Sequence, residues 1–164
     1  MKIKAIVYTS NTGFTERYAK MLGNVSGLPV YTLKDAKKKL DKGSEIIYFG
    51  WLMASLVRGY RQAAKRFKIS ALCGVCMGDS GSQLDAVRKS NNLPSSLEVF
   101  TLQGGMDHSK LRGIYKSMIN MLIKHLSAQE NKSEDEKKML ELIKNGGDFV
   151  SEENLTPVVK WLGL

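Results

Sequence analysis

The stretch from Ser10 to Thr15, with the sequence SNTGFT, carries the clearest chemical indication in the chain. It follows an apolar run typical of a buried β-strand, and a helical pattern begins near its glycine, Gly13. Three hydroxyl side chains in this stretch can donate hydrogen bonds, and the first N–H groups of a helix have no partner within the helix. The stretch is therefore predicted to bind an anion, most simply a phosphate group.

The predicted anion site contains no lysine or arginine. Gly13 would let the backbone approach a ligand closely, and successive N–H groups would stabilise its charge together with the hydroxyls of Thr12 and Thr15. A P-loop, by contrast, contributes a lysine to the phosphate. The alternative is an ordinary polar turn between a strand and a helix, but the coincidence of three hydroxyls with the glycine favours phosphate binding.

Alternating apolar strands and amphipathic helices surround this turn and predict an α/β protein with a doubly wound parallel sheet. Five strands are predicted, at Lys2–Tyr8, Pro29–Leu33, Ser44–Phe49, Ile69–Met77 and Leu97–Leu102. The lysine-rich segment Lys34–Lys42 contains few apolar residues and is interpreted as a solvated connection. Three helices are predicted after about Ser109, the first with a broad apolar face and the second opened by a capping box at Ser133. We expect a single domain over residues 1–164.

Further candidate site residues follow the later predicted strands. Trp51–Ala54 comes directly after one strand, and Gly78 and Gly104 begin glycine-rich loops after the next two. Because the carboxyl ends of parallel strands meet at one edge of a sheet, these segments are expected to lie near the phosphate turn. Trp51 is interpreted either as a cover for a bound ring or as a lid on the core.

The phosphate turn and the strand pattern resemble those of flavodoxins. SNTGFT fits their phosphate motif [ST]-x-T-G-x-T at every defined position, Trp51 stands where flavodoxins often place an aromatic residue against the flavin, and Gly78-Asp79-Ser80 repeats a tripeptide found in some of them. The resemblance covers residues 1–110, approximately. It implies a flavodoxin-like five-stranded sheet of order 2-1-3-4-5, a three-layer αβα arrangement with extra C-terminal helices, and FMN at the carboxyl edge.

The resemblance also implies which residues would hold FMN, although it assigns no catalytic residue. The predicted cofactor-binding residues are Ser10, Asn11, Thr12, Gly13, Phe14, Thr15, Trp51, Leu52, Met53, Ala54, Met77, Gly78, Asp79, Gly104, Gly105 and Met106. Flavodoxins frequently place a tyrosine from the loop after the fourth strand on the second face of the flavin. That loop contains no aromatic residue here, so the second face is expected to be open or covered by Met77 or Met106.

An FMN-dependent redox role follows from the resemblance, either as an electron carrier for a partner protein or as an oxidoreductase with a small organic substrate. The Gly104–Asp107 loop and the helices after it resemble the flavodoxin-like group that includes protoporphyrinogen-oxidase-type proteins; a quinone-reductase type is the other enzyme class considered. Electron-carrying flavodoxins are typically acidic, whereas this chain has a formal charge of +9, which slightly favours an enzyme. The alternative is a non-catalytic module on the same fold that binds another phosphorylated ligand or a protein.

Composition and length bound these interpretations. With 164 residues, of which 43% are hydrophobic, the chain can bury a sizeable core. No apolar run approaches the roughly 20 residues of a membrane-spanning helix, and the start lacks the apolar segment of a signal peptide, so we expect a cytoplasmic protein with no integral membrane segment. The basic balance would suit an anionic membrane face, nucleic acid or an acidic protein, but the lysine-rich segment lacks interspersed aromatic residues and predicts no specific nucleic-acid binding.

The remaining titratable candidates are weaker. Cys73 and Cys76 have the spacing of a redox motif but fall within a predicted strand, where residues three apart face opposite sides, and they are interpreted as buried small hydrophobic residues. His108, beside Asp107, is a candidate acid or base near the flavin edge, weighed against an ordinary surface histidine. Two histidines on separate elements and no carboxylate cluster predict no metal site.

Overall fold

A computed structural model describes residues 2–164, which form seven α-helices, one 3₁₀ helix and eight β-strands. The elements in chain order are β1 (Ala5–Thr9), α1 (Phe14–Ser26), β2 (Val30–Thr32), α2 (Leu33–Lys39), β3 (Glu45–Met53), β4 (Leu56–Val57), α3 (Tyr60–Ala64), β5 (Lys68–Cys76), α4 (Leu84–Asn91), β6 (Glu98–Gln103), β7 (Gly105–Met106), the 3₁₀ helix (His108–Lys110), α5 (Gly113–Ala128), α6 (Glu134–Asn145), β8 (Gly147–Asp148) and α7 (Glu152–Leu162). Of the helices in this range, none has the length and apolar character needed to cross a membrane.

The central sheet is mostly parallel, which confirms the expected α/β class. Its hydrogen-bonded order is β2-β1-β3-β5-β6, and the short strand β4 pairs with β3 in the antiparallel direction. Ile6 of β1 pairs with Val30 of β2 on one side and with Ile47 of β3 on the other. The carboxyl ends of β1, β3, β5 and β6 therefore meet along one edge of the sheet, as such parallel pairing requires.

Successive side chains of the central strands enter two separate cores because side chains alternate between the faces of a strand. Val7 of β1 and Tyr48 of β3 belong to one core, to which α2, α3 and α4 contribute. Ile6 and Ile47 belong to the other, which contains side chains of α1 and α7. Burial on both faces explains why these strands read as continuous apolar blocks and not as an alternation of apolar and polar residues.

Strand β3 is longer than its sequence predicts. The expectation that it stops at Gly50 is wrong, because the strand continues to Met53 and then turns back as β4. A Cβ atom at position 50 would lie 2.6 Å from both the Arg58 carbonyl oxygen and the Val57 side chain. The glycine is thus needed for the close approach of the returning chain, and it does not end the strand.

The turn between β3 and β4 is strained and firmly held. Ala54 and Ser55 have φ angles of 48° and 63°, a left-handed conformation that costs a residue other than glycine about 1 kcal/mol. Buried Asn91 of α4 fixes the returning strand, since its side chain accepts the N–H of Val57 at 3.0 Å and donates to the carbonyl oxygen of Ser55 at 2.8 Å. These contacts set the position of the hairpin at the carboxyl edge.

The interpretation of Lys34–Lys42 as a solvated connection is also wrong, since Leu33–Lys39 forms the helix α2. The hydroxyl of Thr32 caps the helix by accepting the Asp35 N–H at 3.1 Å, and Leu33 and Ala36 are buried on one face. Three lysines occupy the last turn, where the helix dipole favours positive charge. Because only two positions of α2 are buried, its apolar face is too small to be recognised among the lysines of the sequence.

Of the predicted helices after the sheet, one begins at the cap that the sequence indicates and another begins later than predicted. The capping box at Ser133 is confirmed, since its hydroxyl accepts the Glu136 N–H and the Glu136 carboxylate accepts the Ser133 N–H. The first of these helices starts at Gly113 and not near Ser109, because the 3₁₀ helix comes first. The short strand β7 precedes α5 in the chain and β8 follows α6, and the two strands pair with each other.

Tyr48 places a buried phenol at the centre of this framework. Its hydroxyl lies 2.7 Å from the Thr9 hydroxyl and 3.0 Å from the Arg58 carbonyl oxygen, and a Cβ atom on Gly59 would overlap it. Burial raises the pKa of Tyr48 to about 12, while the hydrogen bond with Thr9 acts in the opposite direction. The folded state therefore retains this proton at pH values where an unfolded tyrosine, with a pKa near 10, loses it.

We expect Tyr48 to make the protein sensitive to alkali. Its contribution to the free energy of unfolding is fully present below about pH 10 and decreases by on the order of 2 kcal/mol as pH approaches 12. Tyr48→Phe should be less stable by about 1 kcal/mol at neutral pH and should lack this decrease, so the stability gap between the two proteins narrows or reverses in alkali. Urea unfolding at a series of pH values measures the gap.

The comparison with Tyr48→Phe also controls for the cysteines. Burial raises the pKa of Cys76 to about 11 and that of Cys73 still further, so both thiols lower the stability in alkali in the same direction. Both cysteines are present in the two proteins, and their effect cancels in the difference. A gap that stays constant throughout the alkaline range would show that Tyr48 is not the responsible group.

Candidate functional site

A cavity of about 600 Å³ opens at the carboxyl edge of the sheet. Its walls come from the turn after β1, the ends of β3 and β5, the strand β7 and one side of α5. None of the described residues that line it is an aspartate, glutamate, lysine or arginine, and most are apolar. The cavity is therefore suited to a largely uncharged, hydrophobic ligand surface.

Most of the predicted cofactor-binding residues line this one cavity. They are Asn11, Thr12, Phe14, Thr15, Trp51, Leu52, Met53, Ala54, Met77, Gly105 and Met106. They come from four separate parts of the chain, and parallel pairing of the strands brings them together. Five predicted residues do not line the cavity: Ser10, Gly13, Gly78, Asp79 and Gly104.

Gly104 and Ser10 do not line the cavity, but their contacts fix segments of the chain that do. A Cβ atom on Gly104 would lie 2.6 Å from a methyl carbon of Val75, and its N–H donates to the Cys76 carbonyl oxygen at 2.7 Å. The absence of a side chain therefore lets the chain after β6 pack against the end of β5. The Ser10 hydroxyl accepts the Gly13 N–H at 3.1 Å and so shapes the turn after β1.

The loop at Gly78 and Asp79 folds onto itself. Its carbonyl oxygens are used locally, since that of Gly78 accepts the Cys76 thiol at 3.3 Å and that of Asp79 accepts the Ser82 hydroxyl at 2.5 Å. The Ser80 hydroxyl accepts the Gln103 N–H at 2.8 Å, which ties the loop to the end of β6. These contacts leave Met77 as the predicted residue of this region that lines the cavity.

The turn after β1 ends in a helix start whose N–H groups are free to bind a ligand. Gly13 has a φ angle of 101°, and the first intrahelical bond runs from the Arg17 N–H to its carbonyl oxygen. Within residues 2–164, the N–H groups of Asn11, Thr12, Phe14 and Thr15 have no hydrogen-bond partner. Four donors of this kind, at the positive end of a helix, form an anion-binding arrangement.

Thr15 adds a side-chain donor to this arrangement. It lines the cavity, only 2% of its surface is exposed, and no described residue forms a hydrogen bond with its hydroxyl. Its side chain is therefore available to donate a hydrogen bond to an oxygen atom of a ligand in the cavity. The helix that carries it is anchored by Tyr18, whose hydroxyl donates to the Gln103 carbonyl oxygen of β6 at 2.5 Å.

Trp51 lies at the cavity in a small cluster that joins the sheet to α5. Its ring packs edge-to-face with Tyr115, with 5.1 Å between ring centroids and an interplanar angle of 85°. The Arg58 guanidinium lies 5.7 Å from the centroid of the Trp51 ring and donates to the Tyr115 hydroxyl at 3.2 Å. Both interactions are attractive, and they hold α5 against the end of β3.

The wall formed by α5 was not among the predicted site residues. It contributes Tyr115, Met118, Ile119, Met121, Leu122 and His125, with Leu111 just before the helix. The apolar face of this helix is evident in the sequence, but such a pattern does not show which part of the fold the face covers. Tyr115 adds a second aromatic side chain to the cavity, next to Trp51.

The two histidines differ in position. His108 does not line the cavity; its Nε2 contacts the carbonyl oxygen of Ile143 in α6. His125, by contrast, lines the cavity from α5. Cys73 and Cys76 are both buried and unpaired by disulfide, as the sequence predicts. In the described part of the chain, no cluster of three or more histidine, cysteine or acidic side chains is positioned to hold a metal ion.

Comparison of the chain with protein-family models, with curated proteins and with solved structures found no match in any of the three. The function of the site is therefore inferred from its geometry and from the sequence motif that it contains.

The contact between Trp51 and Tyr115 predicts coupling between β3 and α5. Trp51→Leu and Tyr115→Leu should each destabilise the protein, and the double variant should lose less than the sum of the two by about 1 kcal/mol, because the pair is lost only once. Urea unfolding of the four proteins measures this coupling. As a control, Trp161→Leu removes a different aromatic contact, with Phe100 at 6.2 Å, and should be additive with Tyr115→Leu. Additivity of the Trp51 and Tyr115 changes would contradict the contact.

Proposed function

We propose that the protein is an FMN-binding redox protein with a flavodoxin-like fold. One observation carries the proposal: backbone N–H groups without a protein partner, and the side chain of Thr15, lie beside an uncharged, apolar cavity at the carboxyl edge of a parallel sheet. FMN combines a phosphate dianion with a large planar ring, so it requires these two environments side by side. The sequence SNTGFT matches the flavodoxin phosphate motif at the same place.

The strand order supports the fold proposal. When the short antiparallel strand β4 is set aside, the order β2-β1-β3-β5-β6 corresponds to 2-1-3-4-5 in order of occurrence. The two cores, with α2, α3 and α4 contributing to one and α1 and α7 to the other, are compatible with a three-layer αβα arrangement. In doubly wound sheets, ligands bind at the carboxyl edge where the strand order reverses, and β1 and β3 lie at that point here.

The residues present fit a phosphate group. The N–H groups of Asn11, Thr12, Phe14 and Thr15 would donate to its oxygens, and the hydroxyls of Thr12 and Thr15 would add two further donors. No acidic side chain lines the cavity in residues 2–164, so a bound dianion would meet no repulsion there. The helix dipole of α1 adds a favourable field at its first turn.

The apolar part of the cavity fits the flavin ring. Trp51 and Tyr115 provide aromatic surfaces, and Met77 and Met106 provide flexible thioether side chains that adapt to a flat ligand. When bound, FMN would supply the one- or two-electron chemistry. The role of the protein is then to bind the cofactor, orient it and keep water away from its reactive edge.

The α5 wall favours an enzyme over an electron carrier. Beyond the residues predicted to hold FMN, the cavity extends along Met118, Met121 and Leu122, and His125 lines the same wall. This additional surface is mostly apolar and would accommodate an organic substrate beside the flavin. The formal charge of +9 would repel the basic partners that acidic electron carriers serve.

The proposal is tested by titrating the purified protein with FMN. We expect quenched flavin fluorescence, a shifted visible spectrum and weaker binding of riboflavin, which lacks the phosphate. Thr12→Ala combined with Thr15→Ala should weaken FMN binding at least tenfold, roughly, because two donors to a dianion are lost, and should leave riboflavin binding nearly unchanged. Thr156→Ala changes an exposed threonine of α7 that does not line the cavity; it is the control and should affect neither ligand.

Three outcomes would count against this function. If neither flavin binds, the redox proposal is wrong. If the double threonine variant loses FMN and riboflavin equally, the phosphate does not lie at the turn after β1. If a different phosphorylated compound binds more tightly than FMN and depends on Thr12 and Thr15, the chain is a phospho-ligand module and not a flavoprotein.

A further inference from the structure

Helix α5 presents a row of apolar side chains to solvent. Ile114 is 70% exposed and Met121 is 72% exposed, and between them Met118 is 43% exposed. These positions are spaced by four and three residues and fall within about 60° of one another around a helix. We call the residues Ile114, Met118, Met121 and Leu122 the α5 apolar stripe; Leu122 is 37% exposed. Exposed apolar surface of this extent on one helix typically marks an interaction site.

The formally charged side chains of α5 and of the segment just before it are all positive. From His108 to Gln129 the sequence contains Lys110, Arg112, Lys116 and Lys124 and no aspartate or glutamate. All four cationic side chains are exposed, and only Lys110 forms an ion pair within the described residues, with Asp107 at 3.3 Å. The acidic first turn of the neighbouring helix α6 follows the end of this segment, and Lys132 and Lys137 accompany it. The segment thus combines an apolar face with three cations, Arg112, Lys116 and Lys124, that form no ion pair within the described residues.

From this combination we infer that α5 binds the surface of an anionic phospholipid bilayer. The apolar stripe would enter the boundary between headgroups and acyl chains, while lysine and arginine side chains reach the anionic headgroups. A symmetric contact between two copies of this helix would bring the same four cations together without any anion between them. Nucleic acid would meet aliphatic side chains in place of the aromatic residues that stack on bases. Met118, Met121 and Leu122 of the stripe also line the cavity, so the bilayer surface would lie beside the cavity wall. The inference rests on the exposure and charge of α5 and not on the proposed function.

Vesicle flotation tests the inference with the full chain. We expect the protein to float with vesicles of phosphatidylcholine containing about 30% phosphatidylglycerol, to bind phosphatidylcholine alone at least tenfold more weakly, and to be released by salt. Ile114→Ser combined with Met121→Ser should reduce binding to the anionic vesicles at least tenfold, roughly. Both side chains are mostly exposed, so the variant should unfold at the same urea concentration as the parent.

Matched controls distinguish α5 from general charge or hydrophobicity. Val25→Ser with Leu164→Ser removes two apolar side chains that are 55% and 59% exposed elsewhere and should leave vesicle binding unchanged. Lys116→Gln with Lys124→Gln should weaken binding, whereas the same change at Lys37 and Lys38 of α2 should have little effect.

Several results would overturn the inference. Absence of binding to anionic vesicles would do so, as would equal losses in the α5 variants and their controls, because binding would then reflect net charge alone. Sedimentation velocity without vesicles tests the competing occupant. A concentration-dependent dimer that the Ile114 and Met121 changes abolish would assign the stripe to a second copy of the chain and not to lipid.

Discussion

The parallel pairing of β1, β3 and β5 is the constraint on which the rest of the structure depends. Parallel strands must all end at the same edge, so the turn after β1, the hairpin after β3 and the residue after β5 converge there although they are distant in the chain. The same pairing buries both faces of the sheet, which leaves the edge as the place where polar backbone groups and a cavity can meet. The candidate site is a direct consequence of this geometry.

Much of the framework could be predicted because local pattern and tertiary environment agree. Ala5-Ile6-Val7 and Ile46-Ile47-Tyr48-Phe49 are apolar throughout, as strands with two covered faces must be, and the capping box at Ser133 marks a helix start by chemistry within four residues. The turn after β1 was also identifiable, since hydroxyls, glycine and a helix start occur together in six residues. Such features depend on neighbours in sequence, and sequence displays them directly.

The remaining features depend on contacts between distant residues. In the sequence, Gly50 resembles a strand terminator; only the structure shows that the returning chain at Val57 and Arg58 packs against it. Helix α2 is likewise stabilised by tertiary packing, because Leu33 and Ala36 are buried in one of the two cores. The ring centroids of Trp51 and Tyr115 lie 5.1 Å apart although the residues are 64 positions apart in the sequence. The periodicity of apolar residues does not predict such a contact. The α5 wall of the cavity was therefore the part of the candidate site that could not be predicted from the sequence.

The short pair β7–β8 has a consequence for how the molecule is assembled. Gly105 pairs with Asp148 and Met106 with Gly147, and the Phe149 N–H donates to the Gly104 carbonyl oxygen at 2.8 Å, so the chain leaves and re-enters the body at one point. The segment between these two strands, which includes α5 and α6, therefore begins and ends at neighbouring positions. A segment of this kind can unfold and refold as a local cooperative unit while the sheet stays folded. Its exchange for a different segment would replace the α5 wall of the cavity and leave the turn after β1 and the ends of β3 and β5 in place.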